Sequence, residues 1–175
     1  MADGSNSALS PSRPKLLIDA REEDRLAAAL LTLDVIETEA GLYRCECVFG
    51  NWGGAESPGF QHFSRDKLEF GKTLQLKLGD DVMFEGRITA LRASFPEGGP
   101  PQIGICAEDR LQDLRMTRRT RGFTAMSIAD LARRIASDHG LQAEIDLGGP
   151  TYAQLAQLNQ SDLAFLRELL RGADA

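Results

Sequence analysis

The chain has little of what most catalytic or targeting chemistry requires. It holds three cysteines, Cys45, Cys47 and Cys106, too few for a disulfide framework. Cys45 and Cys47 stand two apart in a strand-like stretch, so they share a face, a poor geometry for bridging each other. No second Cys or His pair stands at ligand spacing, so no zinc site can be drawn. All three thiols read as buried and reduced, which fits assembly in a cytoplasm. There are two histidines, His62 and His139. No apolar run reaches the roughly 18 residues of a membrane-spanning helix. The opening MADGSNSALSPSRP lacks a basic segment followed by an apolar one, so it does not read as a secretion signal. Positive charge is not in excess: the net charge is −6, which argues against a general nucleic-acid binder.

What is present suits a folded chain with a core, at 42% apolar and 26% charged residues. The clearest pattern is KTLQLKLGDDVMFEGRITALRASF, Lys72 to Phe95. Leu74, Leu76 and Leu78 alternate with polar residues up to Gly79-Asp80-Asp81. Beyond it, strict alternation places Val82, Phe84, Gly86, Ile88 and Ala90 on one face, with Met83 and Leu91 on the other. A Gly/Asp turn between two such runs predicts a β-hairpin. A hairpin alone is marginal and needs further strands on its apolar face. Lys15–Ala20, Ala29–Glu37, Leu42–Phe49 and Gln102–Glu108 supply them, Gly41 turning the chain between the second and third. At Arg25–Leu31 helix and strand compete, and the β-branched Thr32, Val35, Ile36 and Thr38 favour a strand from Ala29. Six antiparallel strands of this kind tend to curl into a barrel. The Gly-rich loop Gly50–Ser64 carries Trp52, Phe60 and Phe63, which either plug an end of the sheet or dock on a neighbour.

Character changes at Asp109. DRLQDLRM, 109–116, reads as a short helix. Arg115, Arg118, Arg119 and Arg121 form the basic cluster, read as a solvated or interface-facing patch rather than a phosphate site. Met126–His139 is an amphipathic helix with Ser127 as N-cap, Ile128, Leu131 and Ile135 as its apolar stripe and Gly140 as its stop. Leu141–Leu147 alternates like a short strand. A second helix covers about Ser161–Arg171, capped by Asn159 or Ser161, with Leu163, Leu166, Leu169 and Leu170 inward. The expected class is therefore α+β: a mainly antiparallel β-barrel over 14–122, an incomplete α/β segment with two helices over 123–175, and a flexible tail over 1–13.

Groups that could perform chemistry do not converge. His62 sits in the Gly-rich loop and His139 at a helix end, where a dipole contact explains it. Asp80 and Asp81 occupy a turn, and Glu22, Glu23 and Asp24 read as a solvated run. None of the common nucleophile, metalloprotease or phosphate-loop motifs occurs. No catalytic, cofactor-binding or metal-binding residue is nominated.

The order of segments resembles the phage late control protein D family, the baseplate hub proteins of contractile tails. These are related to the hub part of type VI secretion spike proteins and to extracellular contractile injection particles. Three passages carry the likeness: LEFGKTLQLKLGDDVMFEGRITALRASF, with Gly71, Phe84, Gly86 and Ile88 in place; Ala107 to Gly140; and QLNQSDLAFLRELL, Gln157 to Leu170. The resemblance implies a structural virion component and not an enzyme. It would form a homotrimer on the tail axis and join the tail tube protein to the central spike protein. Assembly in the bacterial cytoplasm, and no direct nucleic-acid or membrane binding, are implied with it. Family subunits carry two related barrels, and this chain would hold the first. A small-ligand-binding barrel, with the aromatic loop as a lid, is the alternative reading.

Overall fold

The computed structural model describes residues 13–38, 42–53 and 57–173. The tail expected over 1–13, apart from Arg13, and the turn expected at Gly41 lie outside the described residues. The chain divides into two units between Asp109 and Arg110.

In the first unit seven strands form one antiparallel sheet: β1 (Lys15–Ile18), β2 (Arg21–Glu22), β3 (Leu30–Glu37), β4 (Tyr43–Gly50), β5 (Thr73–Leu78), β6 (Asp81–Ser94) and β7 (Gln102–Glu108). Their spatial order is β2-β1-β5-β6-β7-β4-β3. The class is the expected α+β with mainly antiparallel strands. β2 and β3 are the end strands, linked in sequence through a short helix α1 (Asp24–Ala28). Helix and strand thus share the contested stretch. Alanines close the helix, and the β-branched run begins the strand at Leu30. A single core gathers Leu16, Ile18, Leu26, Cys45, Cys47, Phe49, Leu68, Leu74, Leu76, Phe84, Ile88, Ile103, Ile105 and Ala107 from five strands, α1 and the loop before β5.

The central hairpin departs from strict alternation twice. Leu76 pairs with Phe84 but Lys77 with Val82, so Met83 is an extra residue. Ile88 pairs with Ala107 but Ala90 with Cys106, so Thr89 is another. Each extra residue reverses the in–out pattern beyond it. Phe84, Gly86 and Ile88 are buried as expected. Val82 and Ala90 are exposed instead, and Leu91, expected outward, packs against the core. Gly86 is required by its surroundings. A Cβ there would stand 2.4 Å from the Glu108 carbonyl oxygen and 2.5 Å from Phe84 Cζ.

The second unit opens with a 3₁₀ turn at Arg110–Arg115. A hairpin pairs β8 (Arg118–Met126) with β9 (Tyr152–Ser161). Two helices complete the unit, α2 (Ile128–Asp138) and α3 (Asp162–Ala173). Ser127 Oγ accepts from Asp130 N at 3.1 Å, and Ser161 Oγ from Ala164 N at 3.3 Å, so both helix starts are capped by the expected serines. Ile128, Leu131 and Ile135 are buried. Three expectations change here, and one strand is found where none was expected. The basic link is strand β8. Leu141–Leu147 has no regular structure, because alternation without a partner ladder does not make a strand. Tyr152–Ser161, rich in Gln and Ala, is a strand through its register with β8. On α3 it is Phe165 that is buried with Leu163, while Leu170 is 43% exposed. Among the described residues no helix is long and apolar enough to cross a membrane.

Candidate functional site

The residues that could have carried catalysis are spread over the fold. His62 is buried in the Gly-rich loop, and burial together with nearby Lys67 holds its pKa below the usual histidine value. Asp80 and Asp81 are exposed at the β5–β6 turn. Glu23 is not simply solvated, since its Oε2 lies 2.7 Å from Lys67 Nζ. Among the described residues no group of three or more His, Cys, Asp or Glu side chains is placed to hold a metal. Cys45 and Cys47 are buried on one face with their sulfurs 3.6 Å apart. The hydrogen bond to Cys45 and burial push the Cys47 thiol far up. Cys106 departs from the expected burial. Ile103, Ile105 and Ala107 take the inner face of β7, which leaves Cys106 half-buried on the other.

Two constellations do form. The first lies in the second unit around Asp162, whose side chain is 1% exposed. Its Oδ1 accepts from Arg121 Nη2 and from Gln157 Nε2, each at 2.8 Å. Its Oδ2 lies 2.8 Å from His139 Nε2 and 3.8 Å from Arg119 Nε. An ionised carboxylate only accepts, so His139 Nε2 carries the proton of that bond. Arg121 also donates from Nη1 to Asp138 Oδ2 (2.8 Å) and from Nε to Gln157 Oε1 (2.9 Å). Its guanidinium lies 5.0 Å from the Phe123 ring centroid, and Phe123 stacks on Phe165 at 6.0 Å. Burial pushes the Asp162 carboxyl up. The hydrogen bonds from His139 and Gln157 and the charges of Arg121 and Arg119 outweigh it and hold the pKa below the usual carboxylate value. The cluster joins β8, β9, α2 and α3. Of the four arginines expected to form a solvated or interface-facing patch, Arg115 and Arg118 are exposed, while Arg121 and the partly exposed Arg119 also turn toward Asp162. Their spacing of two in a strand, with Gln157, Ser161 and Asp162 in one short motif, was the available signal.

The second constellation lies in the first unit. Asn51, fully buried, pins the Gly-rich loop. Its Oδ1 accepts from Gln61 N at 3.1 Å and from His62 N at 2.7 Å, while its own N–H donates to the Pro101 carbonyl at 2.9 Å. Trp52 and Phe60 then pair as an isolated antiparallel bridge. The turn is tight: a Cβ on Gly53 would stand 1.7 Å from the Ser57 carbonyl oxygen. Phe60 meets Trp52, Phe63 and Phe95 edge-on at centroid distances of 5.6, 4.8 and 6.2 Å. Phe63 and Phe95 stack at 6.1 Å. Such ring pairs are held by quadrupole geometry as well as by apolar contact. All four rings keep 37–64% of their surface exposed. They form a fixed aromatic surface rather than a plug. Phe95, at the end of β6, was not legible as a member from its place in the sequence.

The chain's sequence matches no family model and no curated protein. Solved structures do share its fold. The 43 kDa tail protein of prophage MuSo2 from Shewanella oneidensis superposes with a TM-score of 0.69 at 13% identity, over 91% of this chain and 50% of that one. The E. coli c3393 protein is a component of the type VI secretion system with structural similarity to the T4 bacteriophage tail proteins gp27 and gp5. It superposes at 0.61 with 16% identity, over 89% of this chain and 42% of that one. A tail protein from Neisseria meningitidis MC58 gives 0.60 at 13% identity, over 88% and 43%. The fold class is thus that of these tail proteins. The chain spans half or less of the length of each.

Proposed function

We propose that the chain is a structural part of a baseplate hub, of the late control protein D type, in a contractile phage tail or tail-like injection particle. In the complete protein it trimerises on the tail axis and joins the tube protein to the spike protein. It assembles in the bacterial cytoplasm and ends in the virion tail or particle. Its work is mechanical and involves no turnover. The observation that carries this reading is the fold likeness to tail proteins over about nine-tenths of the chain.

The passages that resemble the hub family also have physical roles in this fold. Phe84 and Ile88 enter the core and Gly86 admits the β7 backbone. Gln157, Ser161 and Asp162 form the buried cluster and cap α3. A closed ring of such units would bury sheet edges that otherwise invite uncontrolled pairing. The test is to co-express the complete gene product with its tube and spike proteins and measure the masses of the complexes. A trimer that binds both is expected. A product that stays monomeric at high concentration and binds neither overturns the proposal.

A further inference from the structure

The arm that carries Phe60 and Phe63, residues 57–64, is fastened at a buried point that includes a histidine. His62 is 6% exposed. Its backbone N–H donates to Asn51 Oδ1 at 2.7 Å, beside the bond from Gln61 N at 3.1 Å. Among the described residues its ring makes no hydrogen bond. The ring lines a hollow of about 180 Å³ whose walls include Phe63, Leu68, Leu91 and Ile103. Such a place suits a neutral imidazole. A charged one would carry two N–H donors into it with no protein acceptor for either.

The surrounding charges do not repair this. Lys67 repels an imidazolium and Glu23 attracts it, and the two hold each other at 2.7 Å. Arg65 and Arg92 border the same hollow, and their sign is unfavourable as well. Of the nearby acids, Glu69 is engaged by Arg65 at 3.1 Å and Asp66 by the Ser64 hydroxyl at 2.8 Å. Burial first, and Lys67 next, hold the His62 pKa below the usual histidine value. The fastening is also incomplete. Two N–H donors on one atom fix the orientation of the Asn51 amide, yet its Nδ2 is buried without a partner. That orphan donor gains a partner only when water reaches it, which favours opening.

We infer that His62 is an acid-operated release for the aromatic surface. On taking up one proton from solvent its ring leaves for water. The His62 and Gln61 N–H groups then part from Asn51, and Phe60 withdraws from Trp52, Phe63 and Phe95. The direction follows from burial of the neutral form. The surface is complete above the unfolded histidine value of about 6.5 and is lost as pH falls through the lower, folded one. The inference goes beyond the hub reading and does not depend on it.

The test is proton NMR and amide hydrogen exchange on the whole chain. The His62 ring resonance should titrate below about pH 6.5. Through that titration the protection factor of the His62 amide should fall roughly tenfold or more. Fluorescence of Trp52, the sole tryptophan, should change with it and recover on neutralisation. His62→Gln stays neutral and should remove the step while keeping the protection. Lys67→Met repeats the test in a chain that retains His62: losing the repelling charge should move the midpoint to higher pH. A ring that titrates at or above the ordinary value overturns the release. So does protection unchanged through the titration, a step that persists in His62→Gln, or a Lys67→Met midpoint that stays or falls.

Discussion

His139 Nε2 stands 2.8 Å from Asp162 Oδ2, tying the residue that ends α2 to the residue that begins α3. The same carboxylate is held by Arg121 and Gln157 on its other oxygen. Its removal would leave a half-buried guanidinium and an imidazole without their shared acceptor. Asp162→Ala is therefore expected to cost about 3 kcal/mol, read as a lower denaturant midpoint of the helical circular-dichroism signal. That signal reports the second unit largely, because α2 and α3 lie there.

The pH dependence follows from the same cluster. The folded Asp162 pKa lies below the ordinary carboxylate value of about 3.9. Its contribution to stability is thus complete above that value and is lost as pH falls through the lower, folded one. Acid titration of the wild type should show helix loss in that window. In Asp162→Ala the acid-dependent part of this loss should shrink. An unchanged acid limb in the variant would remove Asp162 from the account.

Gly86→Ala is expected to destabilise the first unit by about 2 kcal/mol through overpacking. Its new methyl would meet the β7 backbone at Glu108 and the Phe84 ring, and the backbone contact cannot swing aside. Chemical denaturation followed by the sole tryptophan, Trp52, reads this unit. A variant as stable as the wild type would show that the β6–β7 approach is looser than described.

Thiol labelling should separate the three cysteines. Cys45 and Cys47 are buried and should react only on unfolding, while half-buried Cys106 reacts in the folded protein. Burial raises the Cys106 pKa, so its rate should be slow near neutral pH and climb steadily in alkali. One thiol per folded chain and three per unfolded chain is the expected count. Cys106→Ser should abolish the native-state reaction.

Alternation was enough to place β4, β5, β7 and most of β6, because a half-buried strand repeats every two residues. The start of α2 was legible from Ser127 and the apolar stripe behind it, since capping is local chemistry. The shared face of Cys45 and Cys47 followed from their spacing alone. The resemblance rested on passages whose residues later proved to be a close backbone approach at Gly86 and a polar cluster at Gln157 and Asp162.

Other features depended on partners distant in sequence. Leu141–Leu147 alternates yet has no ladder, whereas Tyr152–Ser161 scarcely alternates and is a strand because β8 pairs with it. Arg119 and Arg121 look like surface charge until α3 brings Asp162 against them. Phe95 joins Phe60 and Phe63 only because the end of β6 comes beside the Gly-rich loop. The two register shifts that moved Val82 and Ala90 out and Leu91 in belong to the pairing of β6 with both neighbours. The sequence by itself determined which segments could be strands and helices, because those preferences are local. Tertiary structure decided which faces are buried, which charges meet and where the aromatic surface lies, because each requires residues far apart in the chain to arrive at one place.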